Sequence, residues 1–205
     1  MFHVTLTQQN TRDVGDGVGV LLQSLKRSIG DAADGFARTV GDEAAGFVDE
    51  PRDAVLAALT GLRPGPDGAV FRVGIGVAGA DAGDAAAARS RVAVERTVRA
   101  PVPVAVEAGP AGVALEGLPT APETAAAAEG ALILLGDVVA RRSAADWAVV
   151  DLLLPGVRGQ QKAIAEALGV TVQAVSQTVA RARWREEVAG RETAELLLRL
   201  AATLV

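Results

Sequence analysis

Gln173 and Gln177 stand four residues apart, so on a helix they project from one face. Each terminal amide can pair bidentately with the N6/N7 edge of an adenine. Val172, Ser176 and Ala180 share that face and add a hydroxyl and small apolar contacts. The residues before them form the element that must aim such a face. Ile164, Ala165 and Leu168 make the inner side of a short helix, and the small Ala165 lets a second helix cross closely. Gly169 supplies the positive φ that ends this helix, and Val170 is expected to enter the core behind the turn. Thr171 then offers a capping hydroxyl to the second helix, whose Val175 and Val179 face inward. The chemistry is base-edge reading in a major groove, with Thr171, Val172, Gln173, Ser176 and Gln177 at the reading end.

Charge follows the same segment. Between Gly156 and Arg185 the basic residues are Arg158, Lys162, Arg181, Arg183 and Arg185, and the only acid is Glu166. The segment is therefore +4 in a chain of net −5, which leaves −9 on the remainder. Such a separation suits a phosphate-contacting patch on an otherwise acidic molecule. Phosphate contacts are assigned to Lys162, Arg181 and Arg183.

Gly169-Val-Thr-Val-Gln-Ala-Val-Ser176 resembles the turn and recognition helix of the helix-turn-helix in bacterial transcription regulators, except for Thr178, where an apolar residue is usual. The resemblance implies a helix-turn-helix over residues 160–183.

Composition removes other chemistries. The 205 residues include no cysteine and one histidine, His3, so thiolate sites, disulfides and multi-histidine metal centres are excluded. A Ser-His-Asp arrangement would have to use His3. Aromatic residues are 3% of the chain, too few for a platform that stacks single-stranded bases. Apolar runs such as 131–135 and 152–154 are far shorter than the roughly 18 residues of a membrane span. The first residues lack the pattern of a signal peptide, and a cytoplasmic location is expected.

The N-terminal half reads as a sheet domain. Phe2–Thr7 alternates apolar and polar residues as a strand does, and Val18, Leu21, Leu22, Leu25 and Ile29 recur at helical spacing. Residues 36–40 and 44–48 form a hairpin around Gly41-Asp-Glu43, and Pro51 opens a second helix. A strand over 69–77, a helix over 84–98 and an edge strand over 101–107 follow, the last because Pro101 and Pro103 cannot donate ladder hydrogen bonds. Gly74-Ile-Gly-Val-Ala-Gly79 matches a dinucleotide-binding pattern, but the acid on the next strand, Glu107, is too distant. These glycines are read as strand positions passing close to a helix. Arg91, Glu95 and Arg99 make a solvated helix face, and Arg141-Arg142-Ser143 a helix end followed by a new N-cap.

Val40-Gly-Asp-Glu-Ala-Ala-Gly-Phe47 followed by Phe71-Arg-Val-Gly-Ile-Gly76 resembles the class III nucleotide cyclase domain. That resemblance implies a metal-binding aspartate on the first strand and another in the hairpin. Asp42 occupies the hairpin position, whereas Phe2–Thr7 has no acid. The adjacent Asp42 and Glu43 are read as polar hairpin residues. The whole chain is similar to the SatD-like family of bacterial proteins, which joins a cyclase-like domain to a C-terminal helix-turn-helix.

The expected fold class is α+β: a ferredoxin-like, cyclase-like βαββαβ domain over 1–107, a linker over 108–122, and a helical domain over 123–205. The expected function is sequence-specific recognition of double-stranded DNA by a transcription regulator, not catalysis. The alternative is a nucleotide sensor or weak nucleotide-processing enzyme acting at Asp42. No cofactor, metal or membrane is expected, and an unidentified small-molecule ligand of the first domain stays open. A homodimer is expected, with Leu196, Leu197, Leu200 and Leu204 as its apolar seam.

Overall fold

A computed structural model describes residues 1–110 and 117–205; positions 111–116 of the expected linker lie outside the described residues. The chain is α+β, with five strands and nine α-helices among the described residues. The strands are β1 (Phe2–Gln8), β2 (Phe36–Arg38), β3 (Glu43–Val48), β4 (Phe71–Val77) and β5 (Val104–Ala108). Helices α1 (Thr11–Val14) and α2 (Val18–Ile29) follow β1, α3 (Pro51–Leu62) follows β3, and α4 (Gly83–Arg96) joins β4 to β5. The rest is helical: α5 (Ala121–Ala140), α6 (Ala144–Val150), α7 (Gln161–Leu168), α8 (Val172–Arg181) and α9 (Trp184–Leu204).

The sheet is mixed, in the order β2-β3-β1-β4-β5. Central β1 runs antiparallel to both β3 and β4, and β5 joins β4 in parallel after the α4 crossover. The period-2 pattern of β1 explains its two faces. Phe2, Val4 and Leu6 are buried in one core with Val18, Leu21 and Leu25 of α2 and Val55 and Leu59 of α3. His3, Thr5 and Thr7 point the other way, opposite Gly76, Gly74 and Arg72 of β4.

Glycine makes the second face available to α4. A Cβ on Gly76 would fall 2.6 Å from Ser90 N and still nearer the Ala86 carbonyl oxygen; one on Gly74 would meet Ser90 and Val94. Two of the three glycines of the dinucleotide-like pattern therefore serve close packing of helix on strand, as the sequence suggests.

That contact buries a polar group of three. Ser90 donates to the Ala87 carbonyl oxygen (2.9 Å), so its Oγ accepts from Thr5 (2.8 Å) and from His3 Nδ1 (2.6 Å). Ser90 is fully buried, and His3 and Thr5 are buried with it, so the three form an internal hydrogen-bond cluster that ties α4 to β1. Burial, aided by the positive Arg91 and opposed by Glu43, lowers the His3 pKa from its ordinary 6.5. The unfolded chain thus takes up a proton before the folded one does, and stability should fall as pH drops through 6.5 toward the depressed folded value. Urea midpoints measured between about pH 7.5 and 5.5 should show this slope, and His3→Asn, whose uncharged amide offers an N–H donor where Nδ1 lies, should flatten it. An equal slope in the variant would assign the titration elsewhere.

The core does not stop at residue 107. Ala125, Ala128, Leu132, Leu135 and Val139 of α5 and Ala194, Leu198 and Ala201 of α9 join the sheet's core. Glu129 of α5 accepts the Val106 N–H at 2.9 Å, which covers the open edge of β5, and also pairs with Arg96. A second core gathers Val149, Val150, Leu153, Ile164, Ala165, Val175, Val179, Ala182 and Trp184. Helix α9 takes part in both cores, through Trp184 and Val188 in the second and Ala194, Leu198 and Ala201 in the first, and Trp147 packs against both. No helix among the described residues is long and apolar enough to cross a membrane.

Candidate nucleic-acid interface

The turn between α7 and α8 is built from local chemistry. Gly169 is left-handed (φ 66°, ψ 30°), its N–H donates to Glu166 O at 3.3 Å, and Val170 N–H donates to Ala165 O at 3.0 Å. This pair of bonds is a Schellman motif, which ends α7 and redirects the chain within two residues. Thr171 is extended and its Oγ1 accepts from Ala174 N–H at 3.1 Å, capping α8. Val170 does not enter the core: it is 46% exposed. As the second residue past the helix end it lies outside the crossing, and Leu168 packs against the second core in its place.

Val175 and Val179 anchor α8 inward with Ile164 and Ala165 of α7. Thr171, Val172, Gln173, Ser176, Gln177 and Ala180 are all exposed, so the six form one continuous outer face on and before α8. Thr178 is half-buried, and its hydroxyl accepts from Arg181 at 3.2 Å. An apolar side chain in that place would leave the arginine without this bond.

The basic residues of this segment differ in their surroundings, and Arg158 and Arg185 line a cleft with Val179 and Trp184, on the inner side of α8. Lys162, Arg158, Arg183 and Arg185 are exposed and, among the described residues, take part in no ion pair. Arg181 differs. Its guanidinium makes two bonds to Asp146 Oδ1, at 2.9 and 2.7 Å, while its side chain stays 59% exposed. Asp146 also accepts from Ser143 in a capping box that starts α6. Burial raises its pKa, but the Ser143 bonds and Arg181 outweigh that and hold its carboxyl below the usual range. Arg183 occupies the left-handed region (φ 52°, ψ 41°) just before α9, alone among described non-glycine residues in having positive φ. That conformation turns the chain abruptly from α8 into α9.

Two supports of the interface escape sequence reading. The Gln160 side chain accepts from Leu154 N–H and donates to Leu154 O, both at 2.9 Å, and closes the loop before α7. Arg142, read from the sequence as part of a charge pair at a helix end, is buried. Its Nε and one Nη donate to the Ala182 carbonyl oxygen at 2.9 and 2.7 Å, and it pairs with the fully buried Glu187, which also pairs with Arg191. Ala182 follows the last residue of α8, so this cluster fixes the far end of that helix against α5 and α9.

The cyclase-like positions are arranged differently. Asp42 accepts from Thr11 Oγ1 at 3.4 Å, and Glu43 from Thr39 Oγ1 at 2.6 Å and Thr7 Oγ1 at 3.4 Å. Among the described residues no three His, Cys, Asp or Glu side chains come together in a way that could hold a metal ion. Arg91 and Glu95 are exposed without an ion pair between them, whereas Glu107 pairs with Arg96 at 3.2 Å.

The class defined by these features is an α+β protein in which the outer face of α8 is exposed and its inner face is anchored in a second apolar core. No protein-family model, curated protein or solved structure matches the chain.

Proposed function

We propose that α7, the Gly169 turn and α8 form a helix-turn-helix that sets α8 in the major groove of double-stranded DNA, and that the chain is a sequence-specific transcription regulator. The observation that carries this reading is the outer face of α8. Every residue there with base-reading chemistry is exposed, the apolar anchors Val175 and Val179 are buried, and the surrounding segment carries the exposed cations Lys162 and Arg183, which take part in no ion pair among the described residues. Gln173 and Gln177 read bases, Thr171, Val172 and Ser176 contact the groove, and Lys162, Arg181 and Arg183 bind phosphates.

The strand order β2-β3-β1-β4 with its antiparallel neighbours supports the ferredoxin-like reading of the N-terminal sheet, and β5 extends it. The SatD-like arrangement of such a domain before a helix-turn-helix accords with that order. Catalysis is no part of the proposal. β1 carries no acid, where the cyclase resemblance implies one, and Asp42 accepts a hydrogen bond from Thr11.

Selection of bound fragments from random DNA, followed by titrations at several salt concentrations, tests the reading. Gln177→Ala is expected to cost about 1–3 kcal/mol on the selected sequence and little on unrelated DNA. Lys162→Ala and Arg183→Ala should weaken all sequences alike, each lowering the salt slope by about 1. Arg181→Ala is a poorer probe because it also strips Asp146 of its partner. Affinity indifferent to salt and to these substitutions would overturn the proposal.

A further inference from the structure

We propose that two copies of the chain associate through the outer face of α9, packed antiparallel about a twofold axis that passes between Glu195 and Leu196. Ala189, Glu192, Thr193, Leu196, Arg199 and Leu200 recur at intervals of three and four residues, and all are exposed. Leu196 is 66% and Leu200 40% exposed at the middle of that face. The opposite side of α9, with Ala194, Leu198 and Ala201, is already used in the chain's own core. Leu197 and Leu204, expected in the seam, are half-buried in their own chain, so Leu196 and Leu200 carry the apolar contact.

Charge identifies the occupant and sets the register. Glu192 and Arg199 flank Leu196 on this face, and neither has an ion-pair partner among the described residues, although Arg199 borders a cleft with Asp49 and Glu50. Antiparallel pairing about the stated axis places Glu192 opposite the second copy's Arg199, and symmetry repeats the pair. Parallel pairing would set like charges together.

Width comes from α5. It runs antiparallel to α9, because Arg142 meets Glu187 and Leu135 approaches Gly190. Its Leu134 is 73% exposed, and Ala127 and Gly130 are exposed beside it. Each copy therefore offers two helices, which pair as a four-helix arrangement; a single helix face would fall short of the roughly 1,200 Å² of a stable interface.

The register has a geometric consequence. Trp184, the first residue of α9, lies between eleven and twelve residues from the axis. At about 1.5 Å per residue the two copies of α9 begin roughly 35 Å apart. Each α8 ends just before that point, and successive major-groove half-sites on one side of DNA are about 34 Å apart. The inference deepens the DNA-binding reading by naming its partner, and only this spacing rests on that reading.

Sedimentation equilibrium of the full chain without DNA tests the association. The wild type is expected to be a dimer and Leu196→Glu a monomer, with circular dichroism unchanged because Leu196 is exposed, and with a urea midpoint that, unlike the wild type's, does not rise with protein concentration. Glu192→Arg and Arg199→Glu should each weaken dimerisation about tenfold, and the double variant should restore it, since reversing both charges recreates each pair. A monomeric wild type, or a double variant no tighter than the singles, would overturn the inference. A dimer with this rescue that binds no DNA would uphold the inference and remove the DNA reading; DNA binding by a strict monomer would do the reverse.

Discussion

Glu187→Ala is expected to destabilise the folded chain by about 3–5 kcal/mol, measured as a lower urea midpoint at unchanged slope. The Glu187 carboxylate has no exposed surface, and it is the counter-charge of two guanidiniums, Arg142 at 2% exposure and Arg191 at 19%. Removing it leaves two positive groups close together where water cannot hydrate them. Trp147 lies beneath Arg142 at 4.9 Å and Trp184 beneath Arg191 at 5.2 Å, and these ring faces soften but cannot replace the lost charge. Arg142 Nη1 and Arg191 Nε already lack an acceptor among the described residues, so the cluster is incompletely satisfied even when whole. The triple replacement Arg142→Met, Glu187→Leu, Arg191→Met should therefore be neutral or stabilising, because it removes every buried charge at once. Under the proposed function it should still weaken DNA binding, since Arg142 no longer holds the Ala182 carbonyl at the end of α8. A Glu187→Ala cost below about 1 kcal/mol would show that the two arginines find water and that the cluster does not fix α8.

What the sequence makes legible here is what its chemistry decides locally. The α7–α8 turn is encoded within about ten residues by Gly169 and Thr171, and the outer face of α8 follows from helical spacing alone. Strands are legible for the same reason, and Pro101 and Pro103 mark the edge position that β5 occupies. The fate of Arg142 and Glu187 is not, because charged residues read as solvated unless their partner is known, and these two are 45 positions apart in the chain. His3 and Ser90 meet across 87 positions, and nothing near either residue announces the other. The α5–α9 pair is hidden differently. Both helices carry apolar residues on more than one side, so their pattern shows that they pack without showing that one side completes the sheet's core. Val170 fails for a local reason: an apolar residue next to a turn glycine suggests burial, and only the geometry of the Schellman bonds places it outside.

Gly76→Ala should have the largest effect of any single methyl added to the chain, at about 3 kcal/mol or more, the upper range of overpacking. The new Cβ would sit within van der Waals distance of three backbone atoms of α4: Ala86 O, Ala86 C and Ser90 N. A flexible side chain could turn aside; a helix backbone must move as a body. If α4 shifts outward, Ser90 withdraws from Thr5 and His3, and their buried polar groups lose the acceptor they share. The two losses are coupled, so the pH slope attributed to His3 should shrink in Gly76→Ala as the imidazole becomes hydrated. Gly79 is the control. It belongs to the same glycine pattern, has nothing within 4 Å of a built Cβ, and should accept alanine at little cost. Equal tolerance at both positions would mean that α4 rides loosely on the sheet, whereas a large difference would show that glycines three residues apart in one pattern have unrelated reasons to be there.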